Sequence, residues 1–384
     1  MRKSFLMNSF INSIKEILRY KKIDKVFREI VFFTENNNYS FFFKNIIDSL
    51  LDKQINVTII SNDKHDIFLK NNNKNLKVFI IDNFFLLQYF FSNINCKNFI
   101  MTTPDLGNGI INKSPFAKNY IYIFHSLIST TVAYKRNAFK NYDTFFCPTT
   151  IHLKELKDFF EGEKKEKKLI KVGYPKINEL KNFKPQIIDK KNKILIAPTW
   201  GVDSVVNKYE IFILIEKLLE KEFNIIFRPH PMSFEKDKES INKILKKFNK
   251  YENFNLSKDK NNLEVFYNCE NLITDWSGSA IEFSLAFKKP SIFLDTDQRI
   301  RNEDINKKSE ILSNTFENIC RSEIGIILKT EDYENIEEKI SDIKINQEIY
   351  QKRIINFENN FFYNVKNSLE VSVYEIMKLY EKSS

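Results

Sequence analysis

The chain has 384 residues, 42% of them hydrophobic and 37 of them Phe, so two cores can be filled and wholesale disorder is excluded. The net charge of +10 comes from Lys scattered among Asn, Ile and Phe. That dispersal argues against nucleic acid and suits anionic substrates such as nucleotide diphosphates or acidic lipids. No apolar segment reaches the roughly 18 residues that span a bilayer, and the first residues lack the core and cleavage site of a signal peptide, so a cytoplasmic protein is expected. Cys96, Cys147, Cys269 and Cys320 form no CxxC pair, and neither a metal nor a cofactor is expected.

Residues 1–25 read as a basic amphipathic helix, with Phe5, Leu6, Phe10, Ile14, Ile17 and Leu18 near helical spacing and Arg2, Lys3, Lys15, Arg19, Lys21 and Lys22 around them. Two readings stand: peripheral contact with an anionic membrane face, or docking on the first domain. Strands are expected at 29–34, 57–61, 77–81, 98–102, 119–124 and 144–147, with helices over 40–52 and 151–161. These apolar runs are continuous rather than alternating, the pattern of a parallel sheet covered on both faces. A boundary follows near 181–192, where Pro185 opens a polar, Lys-rich stretch. A second series has strands at 193–197, 224–227, 271–274, 291–294 and 325–328, and the chain from about 340 to 382 reads as helical. The expected organisation is a helix (1–25), a Rossmann-like acceptor domain (26–185), a Rossmann-like nucleotide-donor domain (186–345) facing it across a cleft, and C-terminal helices (346–384).

In an open parallel sheet, ligands bind beyond the carboxyl ends of the strands. In the second half those ends carry Ala197-Pro198-Thr199-Trp200-Gly201, Arg228-Pro229-His230-Pro231, Asp275-Trp276-Ser277-Gly278-Ser279 and Asp295-Thr296-Asp297. The third is a small-residue turn opening a helix, where backbone N–H groups and the Ser277 and Ser279 hydroxyls offer an anion site; it takes one of only 7 glycines. Asp295 and Asp297 read as a solvated loop rather than a metal site. Of the 4 histidines, His125 follows a strand of the first half and precedes Ser126, and His230 sits beside Arg228 between two prolines. Both are placed to move protons near neutral pH. His65 reads as a surface residue and His152 as a structural one at a helix start.

The order of the Ala197–Trp200, Arg228–Pro231 and Asp275–Ser279 segments resembles the CDP-glycerol glycerophosphotransferase family of teichoic-acid and capsule synthesis. That family carries APTW, RxHP and D-[YW]-S-S segments on a GT-B fold. Lys289-Pro290 followed by Ser291–Leu294 is similar to a further family element, and the likeness covers about residues 115–300. Two departures stand out: Phe124-His125-Ser126-Leu127 replaces a Trp-His-Gly motif, and Gly278 replaces a serine. The resemblance implies transfer of a glycerol-phosphate or related polyol-phosphate group from a CDP-linked donor to a hydroxyl of a glycan or polyol-phosphate acceptor, lipid-linked acceptors included. His125 would be the general base, with Ser126 beside it, and His230 with Arg228 would steady the pyrophosphate. Ser277, Gly278 and Ser279 would hold a phosphate, and Asp275 of the same turn would be among the substrate contacts. Thr199, Trp200 and Gly201 would border the donor, and Glu282 would either touch a ribose or cap its helix locally. The implied place of work is the cytoplasm and the inner face of the membrane. The alternatives are a GT-B nucleotide-sugar glycosyltransferase and, ranked lower, a UDP-N-acetylglucosamine 2-epimerase, whose Asp-Ser-Gly-Gly…Glu turn is similar to Asp275 to Glu282.

Overall fold

The computed structural model describes residues 2–109, 111–135, 137–184, 192–258, 263–298, 300–303, 305 and 310–381. Most of the stretch expected to link the two halves lies outside the described residues. The chain forms two compact units. The first comprises 1–125, 134–175 and 363–384, and the second comprises 126–133 and 176–362.

The first unit is built on a parallel sheet of seven strands: β1 (Ile30–Thr34), β2 (Val57–Ser61), β3 (Leu76–Ile80), β4 (Cys96–Met101), β5 (Ala117–Ile123), β6 (Thr144–Cys147) and β7 (Lys168–Lys171). Their order is β3-β2-β1-β4-β5-β6-β7. β1, β2 and β6 are buried at every position, as continuous apolar runs require when helices cover both faces. One face carries Phe33, Phe79, Phe91, Phe99, Tyr120 and Phe145, and the other Phe32, Phe43, Ile59 and Phe146.

The N-terminal helix runs Arg2–Lys21, and its side chains are described from Met7 onward. Ser13, Ile17 and Tyr20 are its buried face, against β3 and the Phe84–Asn93 helix. Of the described part of the apolar stripe read from the sequence, Phe10, Ile14, Ile17 and Leu18, only Ile17 is buried. Phe10 and Leu18 are exposed, as are Met7 and Ile11, because they lie one stripe round from the docked residues. The C-terminal helices divide between the units. Ser368–Glu381 packs on the Asn37–Asp52 helix in the first, burying Val373 and Ile376, whereas Gln347–Phe361 belongs to the second.

The second unit has six parallel strands: β8 (Lys193–Ile196), β9 (Asn224–Phe227), β10 (Phe254–Leu256), β11 (Asn271–Thr274), β12 (Ser291–Leu294) and β13 (Gly325–Leu328), in the order β10-β9-β8-β11-β12-β13. β7 and β10, the two strands not anticipated, are both edge strands. An edge position pairs on one side only and needs no continuous apolar run; Lys168 and Lys171 at the ends of β7 are exposed. No described helix is long and apolar enough to cross a membrane.

Candidate functional site

In the second unit β9, β8, β11 and β12 are neighbours, so the four segments following them meet along one sheet edge. Thr274 donates its hydroxyl to the Ala197 carbonyl (2.6 Å), and Arg228 donates its backbone N–H to the Ile196 carbonyl (2.9 Å). Asp275 ties the edge together. It is fully buried, and its carboxylate accepts backbone N–H bonds from Thr199 (2.7 Å), Val205 (3.1 Å) and Trp276 (2.8 Å). Expected among the substrate contacts, Asp275 instead spends its oxygens on the protein, and its reach across the sheet edge fixes the Thr199 segment to the turn after β11.

That turn opens the Gly278–Phe287 helix with Ser277 as N-cap, its hydroxyl accepting from the Ser279 N–H at 3.3 Å. The Gly278 N–H and the Ser279 hydroxyl make no hydrogen bond among the described residues, and both residues are partly exposed. They offer an anion two donors at the positive end of the helix dipole. Gly278 is required by its neighbours: a Cβ there would lie 2.9 Å from Ser126 Oγ and 3.8 Å from the Leu127 nitrogen. Ser126 thus abuts the turn, within the second unit.

Thr199 is almost wholly buried, while Trp200 and Gly201 are partly exposed. Gly201 has φ +94°, a left-handed conformation that disfavours any side chain, and its N–H reaches the Asp237 carboxylate at 3.0 Å. The Trp200 and His230 rings lie 6.0 Å apart at 31°, and the Arg301 guanidinium is 4.4 Å from the Trp200 centroid. His230 Nδ1 accepts the Met232 N–H at 3.1 Å. An accepting Nδ1 places the proton of the neutral ring on Nε2, so His230 presents a donor at its far nitrogen. Arg228 and His230 are both partly exposed.

Sequence reading missed Arg321, which the Phe316–Glu323 helix buries beneath the turn. It donates to the carbonyls of Asp275 (2.9 Å) and Leu294 (2.8 Å), and its guanidinium sits 4.1 Å from the Trp276 centroid. Burial pulls its pKa down to about 10, while Asp295 and Asp275 push it back up. It therefore stays a cation near neutral pH, adding positive potential behind the anion turn. Only its amphipathic helix signals it in sequence. Glu282, one turn into the Gly278–Phe287 helix, is also buried, and its carboxylate pairs with Lys176 at 2.9 Å. Asp295 and Asp297 are exposed, and no His, Cys, Asp or Glu cluster suited to a metal occurs among the described residues.

In the first unit His125 follows β5 and is partly exposed. Its ring meets the Tyr39 ring edge-on, centroids 5.0 Å apart at 89°, and its carbonyl accepts the Tyr174 hydroxyl at 2.8 Å. His65 is exposed, whereas His152 is buried with Nδ1 2.7 Å from the Thr149 hydroxyl.

A family model described as CDP-Glycerol:Poly(glycerophosphate) glycerophosphotransferase matches residues 20–368. Among solved structures, the wall teichoic acid polymerase TagF, a histidine-to-asparagine variant with CDPG, is similar over 99% of each chain at 17% identity and TM-score 0.61. MnaA of S. aureus with UDP covers 92% of this chain and 97% of its own at 13% identity and TM-score 0.60. The UDP-GlcNAc 2-epimerase of Methanocaldococcus jannaschii, in complex with UDP-GlcNAc and UDP, covers 91% and 99% at 15% identity and TM-score 0.54. At these identities the likenesses show a shared fold, the GT-B-like pair of parallel-sheet domains. No curated protein matches the sequence itself.

Proposed function

This chain belongs to the CDP-glycerol:poly(glycerophosphate) glycerophosphotransferase family, and on that footing we propose how its residues divide the work of a CDP-linked transferase. The second unit takes the donor. Gly278, Ser277 and Ser279 receive a phosphate of the diphosphate at the helix start, with Arg321 buried behind them. Arg228 and the Nε2 proton of His230 face the charge that grows on the leaving phosphate as its bond to the transferred phosphorus breaks. Preorganised donors of this kind contribute about 2.7–4 kcal/mol each in a shielded site. Trp200 and Gly201 border the same edge. Asp275 sets the Thr199 segment in register from below, and Glu282 holds Lys176.

The first unit takes the acceptor. His125 accepts the proton of the attacking hydroxyl, and the acceptor is a polyol-phosphate or glycan end carried on a lipid. Peripheral membrane contact fits the uncovered apolar face of the Arg2–Lys21 helix. Met7, Phe10, Ile11 and Leu18 are exposed there, beside exposed Phe84, Phe85 and Tyr89 on the neighbouring helix and the basic Lys15, Lys21 and Lys22. This would place the enzyme on the inner face of the cytoplasmic membrane.

The observation that carries the reading is the meeting of the Thr199, His230 and Ser277–Ser279 segments on three adjacent strand ends. The test is acceptor-dependent release of CMP from CDP-glycerol, with a glycerol-phosphate oligomer as acceptor. His125→Ala and His230→Ala should each lower kcat by at least about 100-fold with Tm unchanged. Near-normal turnover removes that histidine from the mechanism. Conversion of UDP-N-acetylglucosamine without acceptor, and no release from CDP-glycerol, would move the chain to the epimerase chemistry.

A further inference from the structure

Glu35 is the residue immediately after β1, at the carboxyl edge of the first sheet. The Thr103 hydroxyl, just beyond β4, donates to its Oε1, and that is its one hydrogen bond among the described residues. No Lys, Arg or His pairs with it there, although the chain holds 60 Lys and Arg. Burial raises its pKa above the usual carboxylate range, with the Thr103 bond opposing. Its charge in turn helps to push up the Tyr39 and Tyr142 phenols, for which burial is the larger cause. A partly buried carboxyl without a cation costs stability, and such groups cluster where chemistry is done.

Two other carboxylates at this edge, Asp66 and Asp63, are satisfied by hydrogen bonds within the fold, while Asp105 has Lys135 beside it. Asp66 accepts from Thr34 (3.1 Å), Ser40 (2.6 Å) and the Phe68 N–H (2.9 Å), and Asp63 accepts from the Asn37 and His65 N–H groups. Glu35 is different, and its surroundings lead to the first unit's histidine. Tyr39, in the first turn of the helix that follows β1, packs edge-on against the His125 ring. β1 and β5 flank β4, so Glu35 and His125 leave strand ends separated by about 10 Å at the backbone. Two side chains and a three-carbon polyol between them fill such a gap.

We propose that Glu35 is an acceptor-binding residue: its second carboxyl oxygen accepts a hydrogen bond from one hydroxyl of the polyol end and so holds the neighbouring, attacking hydroxyl for His125. The proposal deepens the glycerophosphotransferase reading and rests on it. Glu35 itself makes and breaks no covalent bond. Thr103 is its positioning partner, and Tyr39 forms the wall between the two functional groups. The titratable groups around them are the Tyr39, Tyr134 and Tyr142 phenols, Asp105 with Lys135 beside it, and the His125 ring.

The test compares wild type with Glu35→Gln, which keeps an oxygen for Thr103, and with Thr103→Val. Glu35→Gln should raise the KM for a glycerol-phosphate oligomer at least tenfold while the Kd for CDP-glycerol stays within twofold. A group whose pKa is raised in the fold favours folding below its unfolded pKa and loses that contribution as pH rises through the folded value. Glu35→Gln should therefore match or exceed wild-type Tm at pH 8, and the gain should vanish near pH 4. An unchanged acceptor KM overturns the proposal. So does a lower Tm at pH 8 together with weakened CDP-glycerol binding, the signature of a purely structural acid. If wild type releases no CMP from CDP-glycerol, the transferase reading fails separately. Glu35 is then judged by calorimetric titration of the oligomer alone: binding that Glu35→Gln abolishes sustains the polyol site, and no binding by wild type overturns it.

Discussion

Replacing Asp275 by Asn tests the argument that a buried carboxylate, rather than the turn's own sequence, holds the donor edge together. The amide keeps one oxygen for the Thr199 and Trp276 N–H groups but turns an NH2 toward the Val205 N–H, now 3.1 Å from Oδ2. An orphaned buried donor costs about 1–3 kcal/mol, and each remaining bond falls from the charge-assisted range, about 1.5–3, to about 0.5–1.5 kcal/mol. Together these give a loss of roughly 3–5 kcal/mol, to which weakened support of the Arg321 cation adds. For a unit of this size each kcal/mol moves Tm by about 2–4 °C, so a fall of roughly 6–20 °C is expected. The second consequence is functional. With Thr199 no longer pinned to the turn, CDP-glycerol affinity should fall by about tenfold or more, as the loss of one positioned contact near 1.4 kcal/mol implies. Differential scanning calorimetry and isothermal titration measure the two effects. A Tm drop under 2 °C with unaltered affinity would refute the reasoning, because three N–H groups would then be satisfied without the carboxylate.

Gly278→Ala should weaken CDP-glycerol binding and cost about 1–2 kcal/mol, since its Cβ would press on Ser126 Oγ at 2.9 Å. Ser126→Ala in the same chain should restore most of the loss, and a double-mutant cycle by thermal unfolding reads the coupling. Charge placed on the uncovered apolar face, Phe10→Asp with Phe85→Asp, should abolish co-flotation with phosphatidylglycerol vesicles while leaving turnover of a soluble acceptor intact. Both side chains are exposed, at 45% and 79%, so Tm should hold. Equal flotation of wild type with phosphatidylcholine vesicles, or no flotation at all, would end the membrane reading.

The interior strands were legible because burial on both faces forces continuous apolar runs, and two edge strands, β3 and β13, carry such runs as well: β2, β6, β9, β11, β12 and β13 coincide with the runs, and β1, β3, β4, β5 and β8 differ by a residue or two at their ends. The edge strands β7 and β10 escaped, since pairing on one side lets Lys168, Lys171 and Asn255 stand where a core strand would carry Val or Ile. Positions after strands were legible too, and the fold brings the Thr199, His230 and Ser277 segments together. What stayed hidden depends on contacts far apart in the chain. The Thr199 and Val205 N–H groups meet Asp275 across 76 and 70 residues, so nothing local marks that aspartate as internal. Residues 126–133 and 363–384 fall in units other than those of their nearest neighbours in sequence for the same reason. Glu35 was masked by the run Glu35-Asn36-Asn37-Asn38, which reads as an ordinary polar turn.

The acids of this protein divide by what satisfies them, and the division separates fold from function. Asp275 takes three backbone N–H groups, Asp237 takes the Gly201 N–H and the Asn207 amide, and Glu358 is clasped by Lys181 and Lys288. Each is buried and each is compensated, as a structural acid must be, because an uncompensated carboxylate in low dielectric costs several kcal/mol. Glu35 breaks the pattern with one hydroxyl and no cation among the described residues. A neutral Gln would bond Thr103 as well and fold at least as favourably near neutral pH. A residue that lowers stability, at a strand end next to the histidine wall, persists when activity depends on its charge. The same reasoning explains why Arg321 is buried at the donor edge. Its two carbonyl bonds could be met by water or a smaller donor, but only a cation adds field at the turn proposed to receive the diphosphate.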